Sequence, residues 1–190
     1  MSPHILALDV AGAPHRWINV RDAAHYYATD MIAWAVGQNE FVLRGGTQRA
    51  TGLQSVIRAS SIIAIKGKDF IVRHFDHEPT LTKEMLLARD RYLCAYCAQS
   101  FRFGELDMEH IVPISKGGAT SWMNLVAACK ACNNRKANRT PDAAGMKLHY
   151  VPYVPNRYEA FILSNRKILA DQMEFLLLGV PKSSRMHAAA

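Results

Sequence analysis

The sequence lacks the features of a membrane protein and of a secreted one. None of its apolar runs approaches the roughly 20 residues that a membrane-spanning helix needs. The first residues, Met1-Ser2-Pro3-His4, carry no charged segment of the kind that begins a secretory signal. There is also no internal repeat and no low-complexity tract. We therefore expect a cytoplasmic protein with no membrane partner, and the 49% hydrophobic content predicts a folded globule.

Cysteine is scarce, and all four cysteines fall in two Cys-x-x-Cys pairs, Cys94/Cys97 and Cys129/Cys132. Four thiolates at this spacing suit one tetrahedral zinc ion, which would fix the intervening chain without a large hydrophobic core. Two disulfides are the alternative, but a reducing compartment disfavours them, and an iron–sulfur cluster ranks lower still. Because a closed Cys₄ site has no open coordination position, we expect the zinc to be structural.

Acidic side chains are outnumbered, which gives a formal net charge of +7 and a pI near 9.4. This charge favours a polyanionic partner. Residues 81–150 hold ten Lys and Arg against six Asp and Glu, so +4 of the excess falls there. Short basic runs are often solvated helix faces, but this excess adjoins the candidate site described below. We therefore predict phosphate contacts from four of its basic residues: Lys116, Arg135, Lys136 and Arg139.

The hydrophobic pattern predicts an α+β fold in three regions. Residues 1–79 are expected to form a small α+β layer. Residues 80–149 contain both cysteine pairs and are expected to form a zinc-stapled module. Residues 150–190 are expected to add a C-terminal helix and a tail.

Turn and cap residues predict where the elements of these regions begin and end. Strands are predicted at 5–10, 31–36, 41–43 and 61–65, and a helix capped by Asn19 or Asp22 follows the first of them. A loop is predicted at 44–49 and a linker at 74–79. Thr82 predicts the N-cap of a helix over 83–89, and Asn156 the start of a longer helix that Gly179 ends.

The residues between the cysteine pairs suit hydrolysis of a phosphodiester. Such a reaction needs a water molecule that loses a proton, and an imidazole, with an ordinary pKa near 6.5, can accept it. His110 is the candidate general base. The reaction also needs a hard divalent cation, Mg²⁺ or Mn²⁺, which prefers carboxylate and amide oxygens. Glu109, next to His110, and Asn133, directly after the last cysteine, are the candidate ligands.

The order of these residues resembles the HNH endonuclease family. The resemblance rests on Glu109-His110, Ile111-x-Pro113-x-Ser115-x-Gly117-Gly118, Trp122-x-Asn124-Leu125 and Cys129-x-x-Cys132-Asn133-x-x-Lys136. It covers roughly residues 84–146 closely and the N-terminal region more loosely. It implies a ββα-metal, treble-clef-like fold in which Glu109 and Asn133 hold the catalytic ion and Asn124 steadies the loop that carries the base. The sequence departs from the more frequent family pattern by having Glu rather than Asp before the histidine, and Asn rather than His as the third named residue.

The leading hypothesis is a metal-dependent HNH endonuclease that nicks DNA and leaves a 5′-phosphate and a 3′-hydroxyl. RNA stays open as a substrate, and so does a homodimer. The alternative is a catalytically inactive, zinc-containing nucleic-acid-binding protein, for which the unusual Glu109 is the main support. A purely structural zinc module is the third hypothesis, and it would bind DNA without the salt dependence of phosphate contacts or not at all.

Overall fold

The computed structural model describes residues 4–67 and 78–189, and the chain divides into two compact units. One unit comprises Met1–His77 with Arg157–Ala190, and the other comprises Glu78–Asn156. The predicted linker at 74–79 lies outside the described residues except for its last two positions. Within the described ranges, no helix has both the length and the apolar character needed to cross a bilayer.

The elements confirm the α+β class. In chain order they are β1 (Ile5–Leu8), β2 (Pro14–Ile18), α1 (Val20–Ala28), β3 (Ile32–Thr47), β4 (Gln54–Ile65), α2 (Lys83–Arg89), β5 (Leu106–His110), β6 (Leu125–Cys129), α3 (Lys130–Lys136), α4 (Arg157–Ser164) and α5 (Ala170–Leu177). Short 3₁₀ turns cover Phe103–Glu105, Ile114–Lys116, Asp142–Ala144 and Arg185–Ala189.

The first unit is built on a four-stranded sheet with the order β2-β1-β4-β3. β1 is antiparallel to β2 and parallel to β4, and β4 is antiparallel to β3. All four residues of β1 are fully buried because side chains of a strand alternate between faces and both faces are covered here. Ile5 and Ala7 pack on the same cluster as Ala23 of α1, whereas Leu6 and Leu8 pack with Leu176 of α5.

The C-terminal segment differs from its predicted single helix. The structure has two helices, α4 and α5, separated by residues 165–169. The Asn165 side chain accepts a hydrogen bond from the Lys167 backbone N–H at 3.0 Å, and the Gln172 side chain accepts one from the Leu169 N–H at 3.0 Å. These side chains satisfy backbone groups that a continuous helix would have paired internally, so the chain turns between the two helices.

β3 extends further than the sequence predicts. The residues expected to form a loop at 44–49 continue the strand as far as Thr47, and the turn lies at 48–53. Pairing with β4 satisfies the backbone here, with Arg44 opposite Val56 and Thr47 opposite Gln54. Glycine, threonine and arginine in this stretch signalled a turn, but the long-range pairing prevails over that local preference.

The second unit is organised by a buried ion pair between neighbouring residues. Arg89, which ends α2, and Asp90 are both fully buried and approach to 2.8 Å. All five N–H donors of the Arg89 guanidinium have acceptors: both Asp90 carboxylate oxygens and the carbonyls of Trp122, Leu125 and Tyr153. Asp90 in turn accepts from the Ala127 N–H at 2.8 Å. The pair therefore ties α2 to β6 and to the loop before it.

Candidate active site

The four cysteines come together at one point of the second unit. Their sulfur atoms all lie within 4.8 Å of one another. A tetrahedral zinc with Zn–S bonds of about 2.3 Å requires sulfur separations of about 3.8 Å, so the cluster has the size of such a site. The clustering of the four cysteines that their spacing predicts is confirmed, and the arrangement is consistent with a zinc site.

The electrostatics of the thiols also fit a bound cation. Burial raises the pKa of the Cys94 thiol, but hydrogen bonds from the backbone N–H groups of Cys129, Tyr96 and Cys97 outweigh it, so its pKa is lowered. Burial raises the pKa of Cys97 and of Cys132; Cys94 adds to the rise for both, and Cys129 adds to it for Cys132. Several thiolates this close together would repel one another, so a cation between them would favour the deprotonated sulfurs.

The predicted acid and base lie at the end of a two-stranded antiparallel sheet. β5 pairs with β6 so that Glu109 is opposite Val126 and His110 is opposite Leu125. β6 is fully buried and leads directly into the second cysteine pair and α3. Strand, strand and helix in this order are the ββα arrangement expected from the family resemblance, and the cysteine cluster joins its helix to the knuckle at 94–97.

Asn124 closes the loop between the two strands. Its side-chain oxygen accepts from the Val112 N–H at 2.9 Å, and its amide nitrogen donates to the carbonyls of Val112 at 3.0 Å and Ala119 at 2.8 Å. The loop passes so close that a Cβ on Gly118 would overlap the Val112 carbonyl. One amide side chain and one residue without a side chain therefore set the path of the backbone that follows His110.

Thr120 contacts the His110 ring, a role that its place in the sequence does not reveal. The Nε2 atom of His110 lies 3.0 Å from the Thr120 hydroxyl oxygen. With Nε2–H donating to this oxygen, Nδ1 is the nitrogen with a free lone pair. A threonine within the Gly-Gly-Ala-Thr stretch has no distinctive spacing, so the sequence offered no signal for it.

Lys136 differs from its prediction as a phosphate-contacting surface residue. Its side chain is fully buried, and its ammonium group donates to the Glu109 carboxylate at 2.6 Å and to the His110 carbonyl at 2.7 Å. The cause is the direction of α3, which turns this position toward β5. The sequence gives no sign of this burial, because Lys136 stands in a run of basic residues whose other members are exposed. Lys136 holds the Glu109-His110 peptide in place and neutralises the carboxylate.

The remaining predicted residues lie around this pair. Asn133 is half-buried on α3 and precedes Lys136 by three positions, so both share one face of the helix. Arg135 and Lys116 are exposed. Arg139 is exposed too, but its guanidinium donates to the Arg135 carbonyl at 2.6 Å, which caps the end of α3.

Part of the second unit is similar to known proteins. Residues 94–149 match the model of the HNH endonuclease family. A CRISPR-associated endonuclease, Cas9 from Corynebacterium diphtheriae, is 43% identical over 60 residues, which is 31% of this chain and 5% of that protein. The crystal structure of the Type II-C Cas9 enzyme from Actinomyces naeslundii matches with 23% identity and a TM-score of 0.30, over 57% of this chain and 13% of that one. The chain thus spans a small fraction of the length of these relatives.

Proposed function

Residues 94–149 form an HNH endonuclease domain, and from this premise we propose that the chain is a metal-dependent endonuclease that nicks DNA. The observation that supports the proposal is that the Glu109-His110 pair is fixed in position by contacts from three other residues. Lys136 contacts both of its residues, Asn124 fixes the loop that follows it, and Thr120 orients the imidazole. A protein that only bound nucleic acid would have no need to orient a base beside a carboxylate.

In this mechanism His110 acts as the general base. In the tautomer whose Nε2–H donates a hydrogen bond to the Thr120 hydroxyl, Nδ1 is free to take the proton from the water that attacks phosphorus in line with the departing 3′-oxygen. As the new O–P bond forms, the bond from phosphorus to the 3′-oxygen breaks. The departing 3′-oxygen then takes a proton from a solvent water molecule and becomes the 3′-hydroxyl, while the imidazolium returns its proton to solvent. The product strand then has a 5′-phosphate.

Glu109 and Asn133 are the residues that would hold the catalytic cation. They offer one carboxylate and one amide oxygen, the donor types that Mg²⁺ and Mn²⁺ prefer. The Asn133 position fits because it shares a helix face with Lys136, whose ammonium already reaches Glu109. When bound, the ion would stabilise the charge that develops on the phosphate and the departing oxygen. Because Lys136 neutralises the carboxylate, we expect the ion to bind weakly until a DNA phosphate adds its own oxygens.

The cysteine cluster would hold a structural zinc ion that the reaction does not use. Four sulfurs fill a tetrahedral shell, so this ion would have no position left for water or phosphate. Its contribution would be to join the knuckle at 94–97 to the start of α3. Exposed Arg135 and Lys116 would contact phosphates of the substrate without reading its sequence.

The proposal is tested by incubating zinc-loaded protein with supercoiled plasmid across a panel of Mg²⁺, Mn²⁺, Ca²⁺ and no added ion. We expect open-circular plasmid with Mg²⁺ or Mn²⁺ only. DNA ligase should then reseal the nick, because ligation requires a 5′-phosphate beside a 3′-hydroxyl. Folded, zinc-loaded protein that leaves the plasmid supercoiled under every ion would contradict the proposal.

One observation favours the alternative, a nucleic-acid-binding protein without turnover. The Glu109 carboxylate already has a buried ammonium as partner, which lowers its attraction for a cation. That hypothesis predicts salt-sensitive binding of plasmid DNA together with no nicking by the parent protein under any ion. The same assay, run beside a gel-shift measurement, separates the two.

A further inference from the structure

The first unit carries a two-stranded projection that the nuclease proposal does not use. β1 pairs with β4 at Ile62–Ala64, whereas the pairing of β3 with β4 continues outward from Glu40 opposite Ser60 to Thr47 opposite Gln54. In the described part of the sheet, residues 40–60 are therefore a ribbon of only two strands. We name this ribbon, with its turn at 48–53, the hairpin arm.

The two faces of the hairpin arm have different characters. Phe41 and Ala59 pair on one face, and both lie in the core cluster shared with α1. The opposite face exposes the cross-strand pairs Val42 with Arg58 and Arg44 with Val56. All residues of the turn are exposed as well, including Arg49. One face therefore anchors the ribbon and the other faces solvent.

The charge of the hairpin arm has a single sign beyond its root. Residues 41–60 include Arg44, Arg49 and Arg58 and contain no Asp or Glu. Glu40 at the root approaches Arg58 to 3.6 Å, but both side chains are more than half exposed, so the pair contributes little. Arg44 and Arg49 lie further out along the ribbon, where there is no acid in the sequence to neutralise them.

The root of the hairpin arm is attached to the unit by several hydrogen bonds. The Asp171 carboxylate of α5 accepts hydrogen bonds from the Ser61 hydroxyl at 2.6 Å and from the backbone N–H groups of Gln38 at 2.8 Å and Asn39 at 3.1 Å. On the other strand the Ser60 N–H donates to the Tyr27 hydroxyl at 3.2 Å. A ribbon fixed in this way loses little conformational freedom when its outer part binds something.

From these features we propose that the hairpin arm binds duplex DNA, with its arginines in contact with the phosphate backbone. It would be a nucleic-acid contact additional to the one proposed for the second unit. The major groove, about 12 Å wide, admits a two-stranded β-ribbon. Eight residues of strand reach about 26 Å, enough to follow the groove across several base pairs. At Gly46, near the tip, no atom lies within 4 Å of the position that a Cβ would take, so the backbone there is open to close approach by a phosphate.

Charge decides between DNA and a second copy of the chain as the occupant. Val42, Val56 and Leu53 expose apolar surface that a second copy could cover. Two hairpin arms set face to face, however, would bring their arginines together with no acid to pair them, and like charges at that separation repel. A polyanion meets the same arginines favourably and releases its counterions.

The test measures the affinity of the full-length chain for a 20-base-pair duplex by fluorescence anisotropy, without divalent cations, between 50 and 200 mM KCl. Arg44→Ala/Arg49→Ala removes two phosphate contacts, so the slope of log K against log salt should become less negative by about 1.8. The fourfold rise in salt then weakens the variant about tenfold less than the parent. Arg21→Ala/Lys182→Ala, which removes two exposed charges outside the hairpin arm, is the matched control and should keep the parent slope.

A parent-like slope in the hairpin variant overturns the proposal, and so does an equal change in the control. Light scattering tests the other occupant: a parent dimer that Val42→Ser/Val56→Ser dissociates would assign the ribbon to self-association instead. The choice of DNA as the probe rests on the proposed function. Because binding is measured without cleavage, the two proposals fail independently. The absence of nicking would refute the nuclease proposal, whereas the salt slope of the hairpin variant alone tests the DNA contact of the hairpin arm.

Discussion

Removal of the Lys136 ammonium should unfold the second unit at a markedly lower temperature. The change is Lys136→Met, which keeps the length of the side-chain stem and removes the charge. In the parent this buried ammonium contacts both the Glu109 carboxylate and the His110 carbonyl. The variant leaves an unpaired carboxylate in a site where only 14% of its side chain is exposed.

The magnitude follows from that burial. Breaking a buried ion pair by removing one partner costs about 3–5 kcal/mol. Because the Glu109 side chain keeps some access to water, the lower end, about 3 kcal/mol, is expected. A loss of 1 kcal/mol lowers the melting temperature of a domain of this size by roughly 4–8 °C, so the variant should melt at least about 10 °C below the parent.

A double-mutant cycle separates the pair from general damage. Glu109→Gln/Lys136→Met replaces both charges, and replacement of a whole buried pair is often close to neutral. The double variant should therefore melt above Lys136→Met, with a coupling energy of about 2 kcal/mol. The assay is calorimetry on the full chain at equal zinc content. A Lys136→Met transition within about 2 °C of the parent, or strictly additive single effects, would refute the reasoning.

Three further predictions test the surrounding structure. Gly118→Ala should weaken or misplace the loop, because the new Cβ overlaps the Val112 carbonyl, and should lower nicking with the zinc content unchanged; a parent-like rate would contradict the contact. Cys132→Ser should release zinc and lose the cooperative melting of the second unit, whereas equal zinc retention by mass spectrometry would show that the cluster is not the zinc site. Burial raises the pKa of Asp171, but the hydrogen bond from Ser61 and those from backbone N–H groups outweigh it, so its pKa is lowered. The stability it provides is complete above an unfolded-state pKa near 4 and is lost as the pH falls through the lower folded-state value. Asp171→Asn should therefore lose less melting temperature between pH 5 and pH 3 than the parent, and equal losses would count against this assignment.

Local signals predicted the elements in which one residue decides the conformation. Thr82 caps α2 as expected, because its hydroxyl accepts from the Met85 N–H at 3.2 Å. Asn19 caps α1 in the same way. The two cysteine pairs predicted the clustering of the four sulfurs, since their spacing constrains the geometry directly. In each case the information lies within a few residues of sequence.

The features that the sequence did not reveal depend on contacts between distant positions. The outer part of β3 is a strand because β4 pairs with it, although its composition is that of a loop. Lys136 has the sequence context of a surface cation, yet the packing of α3 on β5 buries it. The role of Arg89 as the centre of the second unit arises from carbonyl groups more than 30 positions away. Periodicity and spacing carry no information about such partners.

The central claim is that His110, held between Thr120 and Lys136, removes the proton from the attacking water. It is tested by the single-turnover rate of plasmid nicking for the parent and for His110→Ala, at saturating Mg²⁺ and matched zinc content. General-base catalysis contributes about 10²–10⁴-fold, so the variant should be slower by at least about a hundredfold. Equal rates for the two proteins would contradict the claim.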